Sequence, residues 1–156
     1  RIHSKTASLF ATAAESGAVL SGAQEDVVQA LRDYGYNLGM AYQVVDDILD
    51  LLGSRDHVGK PVGNDLLQGV ITLPILTYAK HYPHDTSITD FFADPTDSSV
   101  AERVLEAARS PEILREAYDF ADQRCEDARI SLSSLPDTTE RESLLSLVDC
   151  VINRDR

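Results

Sequence analysis

Basic residues are scarce in this chain. Its 14 lysines and arginines stand against 26 aspartates and glutamates, a formal charge of −12 over 156 residues. No basic stripe exists to neutralise a run of phosphates, which excludes a nucleic-acid binder. Cysteine is nearly as rare. Cys125 and Cys150 are the only two, and their spacing suits neither a metal knuckle nor a disulfide framework. They read as buried thiols of a reducing, cytoplasmic protein. No apolar run approaches the ~20 residues that span a bilayer. Strand-like alternation, internal repeats and low-complexity tracts are missing too.

What remains is ordinary for a globular protein, with 43% hydrophobic and 26% charged residues. The length suffices for one domain that buries about 70% of its unfolded surface. Helical periodicity runs almost throughout. The alanine-rich stretch from Ser4 to about Ala18 predicts a first helix ended by Gly17 and Gly22. The longest pattern runs from about Gln24 to Leu52. A glycine- and proline-rich loop, GSRDHVGKPVGND, follows it. A third helix is expected from near Asp65 past LPILTYAKHY, with Pro74 kinking or breaking it. The segment YPHDTSITDFFADPTDSS reads as irregular or one short helix. Further helices are expected over Val100–Arg109 with a cap at Ser98, over Glu112–Ser133 after Pro111, and over Thr139–Asn153. In the second of these, Ile113, Ala117, Phe120, Ala121, Cys125, Ala128 and Leu132 form the apolar side.

The helix ending at Leu52 carries the chemistry. Tyr34, Leu38, Ala41, Val45, Ile48 and Leu52 recur at steps of four and three as one apolar stripe. Gly35, Gly39, Gln43, Asp46 and Asp50 form a second stripe roughly opposite, flanked by Asp47. A glycine inside a helix costs about 1 kcal/mol relative to alanine, so two on one line imply that something must approach there. Three aspartates within one turn repel each other unless a cation intervenes. Magnesium suits them, because it takes a few carboxylates, keeps several waters and completes its shell with phosphate oxygens. The alternative is a solvated acidic face at a helix end.

Two lysines accompany the aspartates. Lys60 sits between glycines in the loop GKPVGND, where it could swing over a bound diphosphate. Lys5 precedes Thr6 at the start of the first helix, where free backbone amides also suit an anion. Each has a plain alternative as a surface lysine. Elsewhere His81 and His84 read as surface residues, without a carboxylate pair nearby. Asp119, Asp122, Glu126 and Asp127 read as a solvated charged face, and Tyr118 and Phe120 as core or cavity lining. No nucleophilic triad is arguable, and the loop glycines do not form a P-loop.

The succession KTASLF, GYNLGMAYQVVDDILDLLG and GKPVGNDLLQGVITLPIL resembles the trans-polyprenyl diphosphate synthases in order and spacing. The resemblance is strong over residues 4–80 and fainter through the helical tail to VINRDR. It implies an all-α, isoprenoid-synthase-type helical bundle around a deep cavity, usually a homodimer. It also implies a magnesium-dependent 1′-4, trans condensation of isopentenyl diphosphate with an allylic prenyl diphosphate. In that family, Asp46, Asp47 and Asp50 match metal ligands. Lys5 and Lys60 match lysines that grip the allylic diphosphate, and Gln43 and Thr6 match residues beside the reacting allylic carbon.

There are departures. Val70 stands where many members have a lysine, and Tyr42 replaces a more frequent phenylalanine. No first aspartate-rich motif occurs, and the chain begins at Arg1 directly in a helical pattern. The expectation is therefore the C-terminal portion of one synthase domain, a half-site that is inactive alone. Two alternatives stay open: a non-catalytic regulatory subunit of a heteromeric prenyltransferase, and a terpene cyclase on the same fold. The intact QVVDDILD and GKP motifs weigh against the first, and the match to KT and GKP weighs against the second.

Overall fold

A computed structural model describes residues 6–53 and 62–153; Lys5 and Lys60 lie outside these. Among the described residues the chain is helical, with no strand. It divides into two compact units, residues 1–45 with 120–156 and residues 46–119.

In the first unit, α1 (Ser8–Leu20) lies against the front half of α2 (Glu25–Leu52). A wider, π-type turn at Thr6 and Ala7 leads into α1. Glycine makes the close approach possible. A Cβ on Gly35 would lie 2.4 Å from the Phe10 carbonyl oxygen, and one on Gly39 would lie 2.7 Å from the Ala7 Cα. The glycine line therefore serves a neighbouring helix, which answers what approaches it. α2 is consequently buried on both stripes: Tyr34, Leu38, Ala41, Val45 and Ile48 on one, Gly35, Gly39 and Gln43 on the other. Of the two stripes only Leu52, at the helix end, is exposed.

The rest of this unit comes from the back half of α7 (Pro111–Ser131) and from α8 (Thr139–Ile152). The Tyr34 hydroxyl donates to the Leu144 carbonyl at 2.9 Å, tying α2 to α8, and burial pushes the phenol up to about 12. Arg124 donates to the Asn37 side chain, and Arg141 to the Leu132 carbonyl. Ala121, Cys125, Ala128 and Leu132 are buried as their spacing predicts. Phe120 is not core. It is 36% exposed, with the Arg124 guanidinium 5.5 Å above its ring. Cys150 is exposed, contrary to its reading as a buried thiol, whereas burial raises the Cys125 thiol to about 11.

The second unit contains the end of α2, then α3 (Asn64–Leu67), α4 (Leu73–His81), α5 (Ser87–Ala93), α6 (Ser98–Ala108) and the start of α7. The single helix expected from Asp65 onward is two. Gly69, at φ 73°, ends α3, and Pro74 opens α4 after an extended Thr72. A proline there fits the first turn, where its missing N–H costs nothing. α6 packs against α3, α4 and α5 around a core of Leu51, Leu66, Ile75, Phe91, Val104 and Ala108. Its cap is Asp97, not Ser98: the Asp97 carboxylate accepts from the Ser99 and Val100 amides. His81 is exposed, as read from the sequence, but it does have a carboxylate pair nearby. Nδ1 lies 3.2 Å from Glu112 and Nε2 lies 2.6 Å from Glu116, two α7 carboxylates, and Lys80 also reaches Glu116.

Candidate functional site

In the first unit, the hydroxyl of Thr6 donates to Oε1 of Gln43 at 2.6 Å. Gln43 is 9% exposed. The bond forms because Gly39, one turn before Gln43, lets the backbone of α1 come down onto α2. A buried amide with its oxygen bound to a hydroxyl has a fixed orientation, which solvent would not provide. The same unit has an apolar hollow of about 380 Å³ lined by Phe10, Leu38, Tyr42, Leu147, Cys150 and Val151. The rings of Phe10 and Tyr42 are 5.7 Å apart in its wall.

In the second unit, the last turns of α2 hold Asp46, Asp47 and Asp50. Asp47 is 4% exposed and Asp50 8%, while Asp46 is half-buried. The solvated acidic face is thus ruled out for two of the three. Asp50 is held twice from the approach to α3. Its Oδ2 accepts from the Asp65 amide at 3.1 Å, and its backbone carbonyl accepts from the Gly63 amide at 3.0 Å. Gly63 makes this turn at φ 72°, a left-handed conformation that favours glycine. The last turn of α2 contains no basic residue, so its carboxylates sit at the negative end of the helix dipole. That arrangement favours a bound cation.

Among the described residues no group of three or more His, Cys, Asp or Glu side chains could hold a metal ion by itself. Magnesium does not need such a cage, because one or two carboxylates, waters and substrate phosphate oxygens complete its octahedron. The donor set at the end of α2 fits a metal of that kind. Sequence reasoning missed two supports, Gly63 with its amide and Arg109, whose Nε donates to the Leu51 carbonyl at 2.7 Å. Gly63 stood in the quoted loop motif and could have been found as a turn signal. Arg109, 58 residues from its partner, had no local signal. Val70, where the resemblance leads one to expect lysine, is buried at 8% exposure. Among the described residues no helix is long and apolar enough to cross a membrane.

Residues 1–108 match the family model described as polyprenyl synthetase. The chain is 41% identical over 151 residues to a prenyl transferase of Synechocystis, covering 96% of the chain and 46% of that protein. It is 35% identical to heptaprenyl diphosphate synthase component 2 of Bacillus subtilis, covering 99% of the chain and 44% of that protein. Among solved structures, heptaprenyl diphosphate synthase from Staphylococcus aureus matches with a TM-score of 0.91 at 33% identity, covering 99% of this chain and 49% of that one. The expected all-α fold is thus the fold of the isoprenyl diphosphate synthases. The chain spans about half the length of the curated relatives it matches.

Proposed function

The chain belongs to the polyprenyl synthetase family, and on that premise we propose that it is the C-terminal portion of a magnesium-dependent prenyltransferase. The parent enzyme condenses isopentenyl diphosphate with an allylic prenyl diphosphate, 1′-4 and trans, to lengthen a polyprenyl diphosphate. The observation that carries this reading is the end of α2, where Asp47 and Asp50 are buried in the last two turns and the final turn has no basic residue.

Asp46, Asp47 and Asp50 would hold the metal. A magnesium ion held there would supply positive charge that offsets the charge of the diphosphate leaving group. Lys5 and Lys60 grip that diphosphate as point charges. Gln43, oriented by Thr6, presents its amide beside the allylic carbon and steadies positive charge as it develops there. Apolar walls exclude water from that carbon.

The half-site reading draws support from the first unit. An apolar hollow of about 470 Å³, lined by Leu9, Phe10, Ala13, Tyr34, Leu38 and Leu147 among others, lies open beside α1. Leu9 is 67% exposed and Leu20 87%. Such a surface suits further helices of the same domain, and the half-length coverage of the relatives agrees with them. The parent acts in the cytoplasm as a homodimer. The component 2 designation of the B. subtilis relative favours one second reading, an assembly with a different chain.

Incorporation of labelled isopentenyl diphosphate into an allylic primer tests the proposal. The full-length parent elongates, and Asp46→Ala loses about 10²-fold or more of turnover while keeping its helical spectrum. Retained turnover in the variant removes the metal-ligand assignment. Elongation by residues 1–156 alone refutes the half-site reading.

A further inference from the structure

An α-helix leaves its last four carbonyls without partners inside the helix. At the end of α2, three successive ones are satisfied from different places. The Leu49 carbonyl accepts from the Gly53 amide at 3.0 Å, and that of Asp50 from the Gly63 amide at 3.0 Å. The Leu51 carbonyl accepts from Arg109 Nε at 2.7 Å. Arg109 follows the last residue of α6, and Leu105, one turn earlier on that helix, lies against Gly63. A Cβ added to Gly63 would come within 2.4 Å of Leu105 Cδ2. One face of α6 thus touches both Gly63, which binds Asp50, and Leu51, which follows Asp50.

The electrostatics of the helix end agree. Asp46, Asp47 and Asp50 crowd the negative end of the α2 dipole, and the last turn of that helix offers no cation. Arg109 brings a guanidinium there through a backbone carbonyl, so its positive charge and its hydrogen bond act at the helix terminus.

We propose that Arg109 is a positioning residue for the metal-binding carboxylates: it fixes the last turn of α2 so that Asp50 keeps its bonds to Gly63 and Asp65 and the three aspartates keep one geometry toward a divalent cation. This rests on the metal reading given above. Groups that orient metal ligands without touching the metal typically matter 10–100-fold in affinity.

The test uses the full-length protein with Mn²⁺ as a paramagnetic probe in the presence of inorganic diphosphate. Binding is read by electron paramagnetic resonance, and amide exchange is followed at Gly63 and Asp65. Arg109→Ala weakens Mn²⁺ binding about tenfold and speeds exchange at both amides. Arg109→Lys, which keeps a charge and a donor, recovers most of the affinity. If Arg109→Ala does not fold, Arg109→Gln is read by the same criterion. Unchanged affinity in these variants, with Asp46→Asn abolishing binding, overturns the positioning role and leaves the metal reading intact. A wild-type protein with no affinity for Mn²⁺ and diphosphate overturns both.

Discussion

α2 runs through both units, and each holds it by different physics. In the first unit, the grip is close contact: two glycines admit the α1 backbone, and the polar Thr6–Gln43 pair follows on the same line. In the second unit, Leu51 packs into the core around α6, and hydrogen bonds from Gly63, Asp65 and Arg109 are added at the helix end. Contact fixes shape, which suits a neutral amide that must not turn. Hydrogen bonds to carbonyls and to one carboxylate oxygen suit a negative helix end, because they offset part of the cost of burying its charge. The same helix thus meets a neighbouring backbone along its glycine line and takes added hydrogen bonds at its acidic end.

The contrast is broken most strongly at Gly35. Gly35→Ala gains about 1 kcal/mol in helix propensity but drives a Cβ into the Phe10 carbonyl, which is backbone and cannot swing away. Overpacking of this kind costs about 1–3 kcal/mol and occasionally more. With a backbone atom as the obstacle the cost lies at the upper end, about 3 kcal/mol, and we expect a net loss of about 2 kcal/mol by chemical denaturation. A stabilised variant would show that α1 does not sit on the glycine line.

The sequence made the length of α2 readable, from Gln24 to Leu52 against Glu25–Leu52 in the structure, because its periodicity is long and unbroken. It also singled out the glycine line and the aspartates. What it could not assign was the occupant of that line. A gap left by two glycines looks the same whether a ligand or a helix fills it. The split between α3 and α4 was legible in principle, since Gly69 and Pro74 are the usual stop and start. The carboxylates facing His81 were not legible, because Glu112 and Glu116 come from a helix 31 and 35 residues on. Phe120 fitted the apolar spacing, yet it lies at the edge of that stripe beside Arg124.

A smaller effect sharpens the first unit's side of the comparison. Burial raises Tyr34 from 10.0 to about 12, so the folded state favours the neutral phenol. Its contribution is complete below pH 10 and is lost as pH rises through 12. Tyr34→Phe removes the bond to the Leu144 carbonyl and costs about 1 kcal/mol at neutral pH. The variant should also lose stability less steeply between pH 10 and 12. Cys125, raised from 9.0 to about 11, leaves a residual alkaline slope in both proteins. Parallel slopes in wild type and variant would place the Tyr34 hydroxyl in water.

Catalysis by the parent enzyme rests on the binding of a divalent cation together with diphosphate at the acidic end of α2. That binding is tested most directly by calorimetric titration of magnesium diphosphate into the full-length protein and into Asp46→Asn. The expected result is saturable binding that requires both magnesium and diphosphate and is lost in Asp46→Asn. Equal binding by the two proteins, or binding of diphosphate that ignores magnesium, would contradict it.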